Sequence, residues 1–309
     1  MLRLMSIGLV AGLFFSATFV LNRLMSLENG HWFWSASLRY AYTLLLLGLG
    51  LRLFKGGAFC RAVLGEFRRH WRFWCAAGSI GFGGFYALLC FAADFAPAWV
   101  VAATWQFTII ASLFVLACFG KRPAGAIWLY ALVVFVGVAL VNLSEADLAA
   151  LGPLLLGALP VLAAAFLYPL GNQLVWEAKQ GRRGLPSPAQ EVVDNAFAKV
   201  FLMALGSVPF WLVLYAFTTP GAPTTGQLAN TALVALFGGV FASALFLYAR
   251  SQARNASQLA AVDATQASEA VFALAGEILL LGAAPPNAVG LAGLLIAAAG
   301  LIAFVRHEH

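Results

Sequence analysis

Long unbroken runs of apolar residues decide what this chain can fold into. Two examples, "YALVVFVGVALV" and "LAGLLIAAAGLIAF", contain no charged residue. Hydrophobic residues make up 62% of the 309 residues and charged residues only 10%, whereas a soluble domain is about 45–50% apolar and about 25% charged. Too little polar surface remains to cover a soluble core, and an outer-membrane barrel would need short alternating segments. We therefore expect an all-α polytopic membrane protein.

Ten apolar segments have the length that spans a membrane, which is roughly 20 residues for an α-helix. The turn sequences "GKRP" and "GAAPPN" separate the fourth segment from the fifth and the ninth from the tenth, because Gly and Pro interrupt a helix. The first segment is interpreted as a retained span, not as a cleaved signal peptide. The segments are placed at about 3–24, 32–54, 73–93, 97–119, 124–142, 153–176, 193–217, 228–249, 257–281 and 287–305.

The basic residues are concentrated in alternate connections between these segments. Fifteen of the 18 lysines and arginines lie at the two termini or in every second connection, on one side of the membrane. The three exceptions are Arg23, Arg39 and Lys199. The opposite set has acidic residues instead, namely Glu28, Asp94, Glu145 and Asp147. The positive-inside rule then predicts a multi-pass protein of the inner (plasma) membrane with both termini in the cytoplasm. The net charge of +6 is explained by topology, so no nucleic-acid partner is expected.

The longest connection, 55–72, contains "FCRAVLGEFRRHWR". Two interpretations stay open for it. One is a short amphipathic helix on the anionic inner leaflet, and the other is a plain basic loop.

The two halves of the chain carry matching patterns. "FSATFVLNRLM" in the first segment corresponds to "FLYPLGNQLVW" in the sixth, and "SASLRYAY" in the second corresponds to "NAFAKVFL" in the seventh. The fourth segment likewise corresponds to the ninth. We predict two five-helix repeats, residues 1–150 and 151–309, that together form one transmembrane domain. Because each repeat has five spans, an odd number, the second repeat is inserted in the opposite orientation to the first. Such inverted repeats are typical of secondary transporters with a site near the midplane.

Several stretches resemble a known family. "GLFFSATFVLNRLM", "SLRYAYTLLL" and "FASALFLYARSQARNASQLAAVDATQASEAVFAL" are similar to the ten-helix branch of the drug/metabolite transporter (DMT) superfamily, over nearly the whole chain. "YPLGNQLVWEA" and the acidic ninth segment are most similar to the multidrug-resistance efflux subgroup. The resemblance implies a DMT-like fold of ten helices. The acidic residue that the family carries after the ninth helix is missing from "LLLGAAPP", so no residue role is transferred there.

The ninth segment combines spanning length with four polar side chains: Asp263, Gln266, Glu269 and Glu277. At about 100° per residue of a continuous α-helix, all four share one face. The three carboxylates would then form a ladder across the bilayer. Charged groups inside a membrane are costly, so each needs a partner, water or a proton.

Two interpretations of these acids stay open. They are structural ion pairs, with Arg39 and Lys199 as the charge partners, or at least one carboxyl is unpaired and exchanges a proton for a cationic substrate. We expect Glu269 and Asp263 to be the best proton carriers.

Further candidate binding residues lie on two other segments. Trp105 and Gln106 belong to the fourth, where Trp105 either stacks on an organic cation or packs in the core. Tyr168 and Asn172 belong to the sixth, beside "PLG", which allows a kinked or broken helix. The glycines of "GSIGFGG" are interpreted as close helix packing and not as a phosphate loop.

These features predict a secondary active transporter that exports small organic solutes or cationic drugs by proton antiport. The alternative is an uptake or exchange carrier for a metabolite such as a choline-like cation or an amino acid. Without HExxH, GxSxG or an intramembrane histidine, no enzyme is expected, and no cofactor or metal either. The expected partners are a small-molecule substrate, protons and the lipid bilayer, with the chain acting as a monomer or homodimer.

Overall fold

The computed structural model describes residues 2–120, 125–145, 151–252 and 256–308. All regular structure in these ranges is helical, which confirms the all-α prediction. Asp147 and the basic residues Lys121, Arg122 and Arg254 lie outside the described ranges. The helices are α1 Leu2–Leu27, α2 Trp32–Phe54, α3 Gly56–Arg69, α4 Trp71–Gly78, α5 Phe85–Ala92, α6 Ala98–Trp105, α7 Phe107–Cys118, α8 Gly125–Ser144, α9 Leu151–Lys179, α10 Gln190–Val193, α11 Ala196–Gly206, α12 Val208–Thr218, α13 Thr225–Val234, α14 Ser243–Ser251, α15 Ala256–Ala264, α16 Ser268–Leu281 and α17 Ala288–Glu308.

Eight helical stretches are long and apolar enough to cross a membrane. The helix α2 has 23 residues but carries Arg39 and Arg52, and it is not among the eight. The helix α8 has 20 residues and is not among the eight either. The polytopic fold is therefore confirmed, and the count of ten spans stays a prediction. The eight are Leu2–Leu27, Trp71–Ala92, Ala98–Cys118, Gly152–Lys179, Ala196–Thr218, Thr225–Arg250, Ala261–Leu281 and Ala288–Arg306.

Glycines bring several helices into close contact. A Cβ atom on Gly206 would lie 2.0 Å from the carbonyl oxygen of Trp74, and one on Gly171 would lie 2.3 Å from the Cα of Gly81. Small residues of this kind let helix backbones approach closely in membranes. The prediction that "GSIGFGG" serves helix packing is confirmed, because Gly81 belongs to that stretch.

Besides a break at Ser207 between α11 and α12, four stretches of the described helices depart from α-helical geometry. The helix widens to π-helical turns at Ser79–Gly84 and Ala235–Ala242. It is interrupted at Gln106, between α6 and α7, and tightens to a 3₁₀ turn at Thr265–Ala267. Irregular turns like these within helices often mark functional sites. In the predicted two-repeat alignment the third segment corresponds to the eighth and the fourth to the ninth, so the irregularities fall on matched segments. The duplication itself stays a prediction.

Hydrogen bonds join the connections at each end of the bundle. At the end that carries most basic residues, the Glu66 carboxylate on α3 accepts from the backbone N–H of Ala189 at 3.1 Å. At the opposite end, the Gln227 amide at the start of α13 donates to the carbonyl of His31 at 2.9 Å. Each bond joins two connections of the same predicted set. The connection 55–72 contains the helix α3, so the helical interpretation of that stretch is confirmed.

Candidate functional site

A cavity of about 240 Å³ lies where the four irregular turns meet. Each turn contributes a residue to its wall: Phe82, Gln106, Gly238 and Gln266. Aromatic and polar side chains line it in equal number, so it offers both an apolar surface and groups that orient a small molecule. The aromatic residues are Phe15, Phe19, Tyr40, Phe82, Phe85, Tyr86, Trp105 and Tyr168, and the polar ones are Thr18, Arg39, Thr43, Gln106, Thr108, Ser243, Gln266 and Glu269.

Most of the residues that the sequence analysis singled out come together in this cavity. Glu269, Gln266, Trp105, Gln106, Tyr168 and Arg39 all line it. Asp263, Glu277, Asn172 and Lys199 are not among its lining residues.

Glu269 lies in the first turn of α16, directly after the 3₁₀ turn. It is 6% exposed, and its carboxyl is in hydrogen-bonding contact with the Gln106 side chain. Within the described ranges, no lysine or arginine nitrogen comes within 4.0 Å of this carboxyl. The start of a helix favours negative charge there. Glu269 therefore presents a carboxyl to the cavity without a cationic side chain to neutralise it.

Arg39 also reaches the cavity without an ion-pair partner in the part of the chain that the structure describes. Its guanidinium carbon lies 4.0 Å from the centroid of the Tyr86 ring, a cation–π contact. The Tyr86 hydroxyl accepts a hydrogen bond of 3.0 Å from the Asn22 amide. This chain of contacts holds the guanidinium in place and leaves its charge uncompensated by carboxylate.

One wall of the cavity is an aromatic cluster. The Tyr168 ring centroid lies 5.1 Å from that of Phe85 and 5.7 Å from that of Trp105. Tyr168 is also within electrostatic range of both Arg39 and Glu269. The predicted tryptophan and tyrosine thus form a single surface beside the two charged groups.

Asp263 has a different environment from the one expected for it. It forms an ion pair with Arg250 at the end of α14, and not with Arg39 or Lys199. The 3₁₀ turn separates Asp263 from Glu269, and such a turn advances about 120° per residue where an α-helix advances about 100°. Three residues at about 120° change the phase between Asp263 and Glu269 by only about 60° and bring the two closer around the helix axis, so the ion pair with Arg250, and not the helical phase, gives Asp263 its separate surroundings.

Glu277 stabilises the start of another helix. It is 3% exposed, and its Oε2 accepts from the backbone N–H of Trp99 at 3.1 Å. The three acids therefore have three separate surroundings: Glu269 lines the cavity, Asp263 pairs with Arg250, and Glu277 caps α6.

Asn172 and Lys199 lie outside the cavity lining. The Asn172 amide donates to the carbonyl of Tyr168 on its own helix, at 2.9 Å. Lys199 lies near Lys179, whose own ion pair is with Asp194. In the described ranges Lys199 forms no ion pair, so its expected pairing with an acid of the ninth segment is not found.

Thr18, Tyr40 and Tyr86 are among the cavity residues that the sequence analysis did not single out. Thr18 and Tyr40 lie on α1 and α2, and Tyr86 lies just after the first π-helical turn. Tyr40 follows Arg39 directly, so its position beside a conspicuous arginine was the one available signal. Thr18 and Tyr86 carry no local signal, because their role depends on contacts between distant segments.

Membrane-spanning helices around a small aromatic cavity with uncompensated charges define a class, that of the membrane transporters. The family model described as "EmrE: Putative multidrug resistance efflux transporter" matches residues 2–309. The chain belongs to this family of the DMT superfamily and is a membrane transporter.

Two relatives extend this finding. The chain is 38% identical over 312 residues to "Uncharacterized protein YjlA" of Bacillus subtilis (strain 168), covering 96% of this chain and 92% of that one. It is 36% identical over 266 residues to "Uncharacterized 42.1 kDa protein in intracellular alkaline protease 3'region" of Shouchella clausii, covering 82% and 66%. A solved crystal structure aligns over 99% of both chains with a TM-score of 0.61 and 15% identity, which bears on the fold alone.

Proposed function

We propose that the protein is a proton-coupled secondary transporter that exports small organic solutes carrying a positively charged group. In this proposal, Glu269 binds the proton and the solute in turn. The observation that carries it is the buried Glu269 carboxyl, which lines the cavity with no lysine or arginine nitrogen within 4.0 Å of it in the described ranges.

The coupling follows from the cost of charge inside a membrane. An ionised carboxylate at mid-membrane costs roughly 2.5–3.5 kcal/mol on insertion scales, and more in other estimates. Either a proton or the positive group of a solute removes this cost, and the two compete for one carboxyl. Each therefore displaces the other, and proton entry drives solute exit.

Alternating access needs contacts that open on either side of the site. Asp263 lies six residues before Glu269 and Glu277 eight residues after it. At about 1.5 Å per residue these acids are about 9 Å and 12 Å away along the helix. We propose that the Arg250–Asp263 ion pair and the Glu277–Trp99 hydrogen bond close opposite ends of the pathway, while the predicted inverted repeats rock around the cavity.

The side of the membrane and the direction of transport belong to the same proposal. The uneven distribution of basic residues supports an inner-membrane protein with both termini in the cytoplasm. A carrier is reversible, so uptake or exchange of a metabolite would use the same cavity, and the prevailing gradients would decide the direction.

The test uses proteoliposomes loaded with radiolabelled 1-methyl-4-phenylpyridinium, whose positive charge is fixed, or with L-phenylalanine. An acidic outer medium should accelerate efflux of at least one probe, and a protonophore should abolish that acceleration. Glu269→Gln should remove the response to the pH gradient while thermal denaturation shows a folded protein. Glu191→Gln, at an exposed acid that does not line the cavity, is the control and should keep the response.

Two results would overturn the proposal. One is a Glu269→Gln protein whose transport keeps the wild-type pH dependence. The other is wild-type protein in which neither probe's flux responds to the gradient.

A further inference from the structure

The Arg39 side chain has no role in the proton exchange described above. Its guanidinium lines the same cavity as Glu269, yet the two form no ion pair. The contact with the Tyr86 ring offsets part of the cost of burying this charge. A guanidinium in a membrane protein's interior also calls for an anionic or strongly accepting partner, and the described side chains do not supply a carboxylate.

A second unsatisfied group lies beside it. The Thr18 hydroxyl is buried, lines the cavity and has no hydrogen-bond partner in the part of the chain that the structure describes. Thr18 is 6% exposed. A buried hydroxyl without a partner is unfavourable, so this donor is available to a bound molecule.

Gly238, in the second π-helical turn, packs closely against the Thr18 hydroxyl and lies near Arg39. A Cβ atom on Gly238 would lie 2.6 Å from the Thr18 Oγ1 and 3.6 Å from the Arg39 Nη2. The two donors therefore lie beside the same glycine, whose missing side chain lets them approach each other at the cavity wall. Guanidinium and hydroxyl donors together match the oxygens of a carboxylate.

We infer that the cavity holds two subsites of opposite charge and takes zwitterionic solutes with an aromatic or large apolar side chain. The carboxylate binds Arg39 and Thr18, the ammonium group binds Glu269 and Gln106, and the apolar part packs on Trp105 and Tyr168. Both charges line one cavity of about 240 Å³, so one small solute reaches both. The inference rests on the proposed function only in using the same cavity for transport.

The test compares three ligands that share a phenyl ring and differ in charge: L-phenylalanine, phenethylamine and 3-phenylpropionate. Binding to purified protein is measured by the ligand-dependent rise in melting temperature, since a ligand that binds the folded state stabilises it. L-Phenylalanine should bind at least about tenfold more tightly than phenethylamine, because only the zwitterion engages the guanidinium. 3-Phenylpropionate should bind weakly at neutral pH, because it meets the Glu269 carboxyl without an ammonium group.

Substitutions then test which residues bind the carboxylate of the solute. Arg39→Gln should weaken L-phenylalanine binding by about tenfold or more and leave phenethylamine binding unchanged. Thr18→Val should weaken L-phenylalanine binding about fivefold, whereas Thr18→Ser, which keeps the hydroxyl, should restore it. Arg52→Gln removes an exposed arginine from the same helix, outside the cavity, and should change neither affinity.

Equal binding of phenethylamine and L-phenylalanine to the wild type would overturn the inference. So would Arg39→Gln and Thr18→Val variants that weaken both ligands equally. If Arg39→Gln does not fold, the L-phenylalanine affinities of Thr18→Val and Thr18→Ser decide whether the inference holds. The protein could fail these comparisons while its 1-methyl-4-phenylpyridinium efflux still responds to a pH gradient. In that case the proposed function stands and only the inference about zwitterionic solutes is wrong.

Discussion

The Glu277 carboxylate accepts a hydrogen bond of 3.1 Å from the backbone N–H of Trp99, a residue 178 positions earlier in the chain. Trp99 lies in the first turn of α6, where backbone N–H groups have no partner within their own helix. The positive end of the helix dipole lies there as well. An acid on one helix thus caps another, and it does so at the end of the bundle opposite the basic connections.

Replacing this acid should reduce stability more than it affects coupling. Glu277→Ala leaves buried N–H groups of α6 without an acceptor, at a cost of about 1–3 kcal/mol. Glu277→Gln keeps one acceptor oxygen and should cost less. Thermal denaturation of both variants in detergent measures the loss, and a variant as stable as the wild type would contradict the capping role.

The glycine contact between α4 and α11 should not tolerate a side chain. A Cβ atom on Gly206 would lie 2.0 Å from the Trp74 carbonyl oxygen, and such overpacking costs about 1–3 kcal/mol. Gly206→Ala should therefore lower the melting temperature. Gly50→Ala is the control, because a Cβ atom there meets nothing within 4 Å and alanine stabilises a helix by about 0.5–1 kcal/mol over glycine. The change in melting temperature should be negative for Gly206→Ala and positive for Gly50→Ala. A Gly206→Ala protein that is more stable than the wild type would refute this packing.

The ion pair between Arg250 and Asp263 should contribute little to stability because it is partly exposed. The two side chains are 40% and 18% accessible, and exposed pairs contribute about 0.2–1 kcal/mol. A double-mutant cycle with Arg250→Gln and Asp263→Asn should return a coupling energy in this range that decreases as salt concentration rises. A coupling well above that range, unaffected by salt, would mean that the pair is buried.

Glu66 should make stability depend on pH. Burial alone would raise the pKa of Glu66, but hydrogen bonds from His70, the Ala189 N–H and the Trp74 indole outweigh burial and lower the pKa below its usual value. Because the folded-state pKa is the lower one, the stabilisation is present above the unfolded-state pKa. It is lost as the pH falls through the folded-state value.

The comparison of Glu66→Gln with the wild type tests this sign. The variant should be less stable at neutral pH, and the difference in melting temperature should shrink as the pH falls below about 4.3, the ordinary pKa of glutamate. Exposed Glu191, in the connection that Glu66 contacts, offers the control Glu191→Gln, for which no comparable pH-dependent difference is expected. A Glu66→Gln deficit that stays constant down to acidic pH would exclude a contribution from the charge.

Much of the candidate site was accessible from the sequence, since acidic or aromatic residues in an apolar segment are conspicuous. Glu269, Trp105 and Tyr168 were selected in this way, and all three line the cavity. The surroundings of Asp263 and Glu277 were not accessible, because both depend on partners from other helices. Arg39 was expected to neutralise an acid, and the structure leaves it facing a solute-sized space beside Thr18.

The amino-acid sequence by itself determined that this protein lies in a membrane, that its chain is helical and to which family it belongs. The first two follow from local hydropathy, since a run of apolar side chains needs no distant partner to favour a lipid environment, and the third follows from sequence similarity along the whole chain. Only the tertiary structure decided which acid faces the cavity unpaired. Side chains and backbone groups of other helices neutralise or cap the other two carboxylates, and no local sequence pattern specifies such partners.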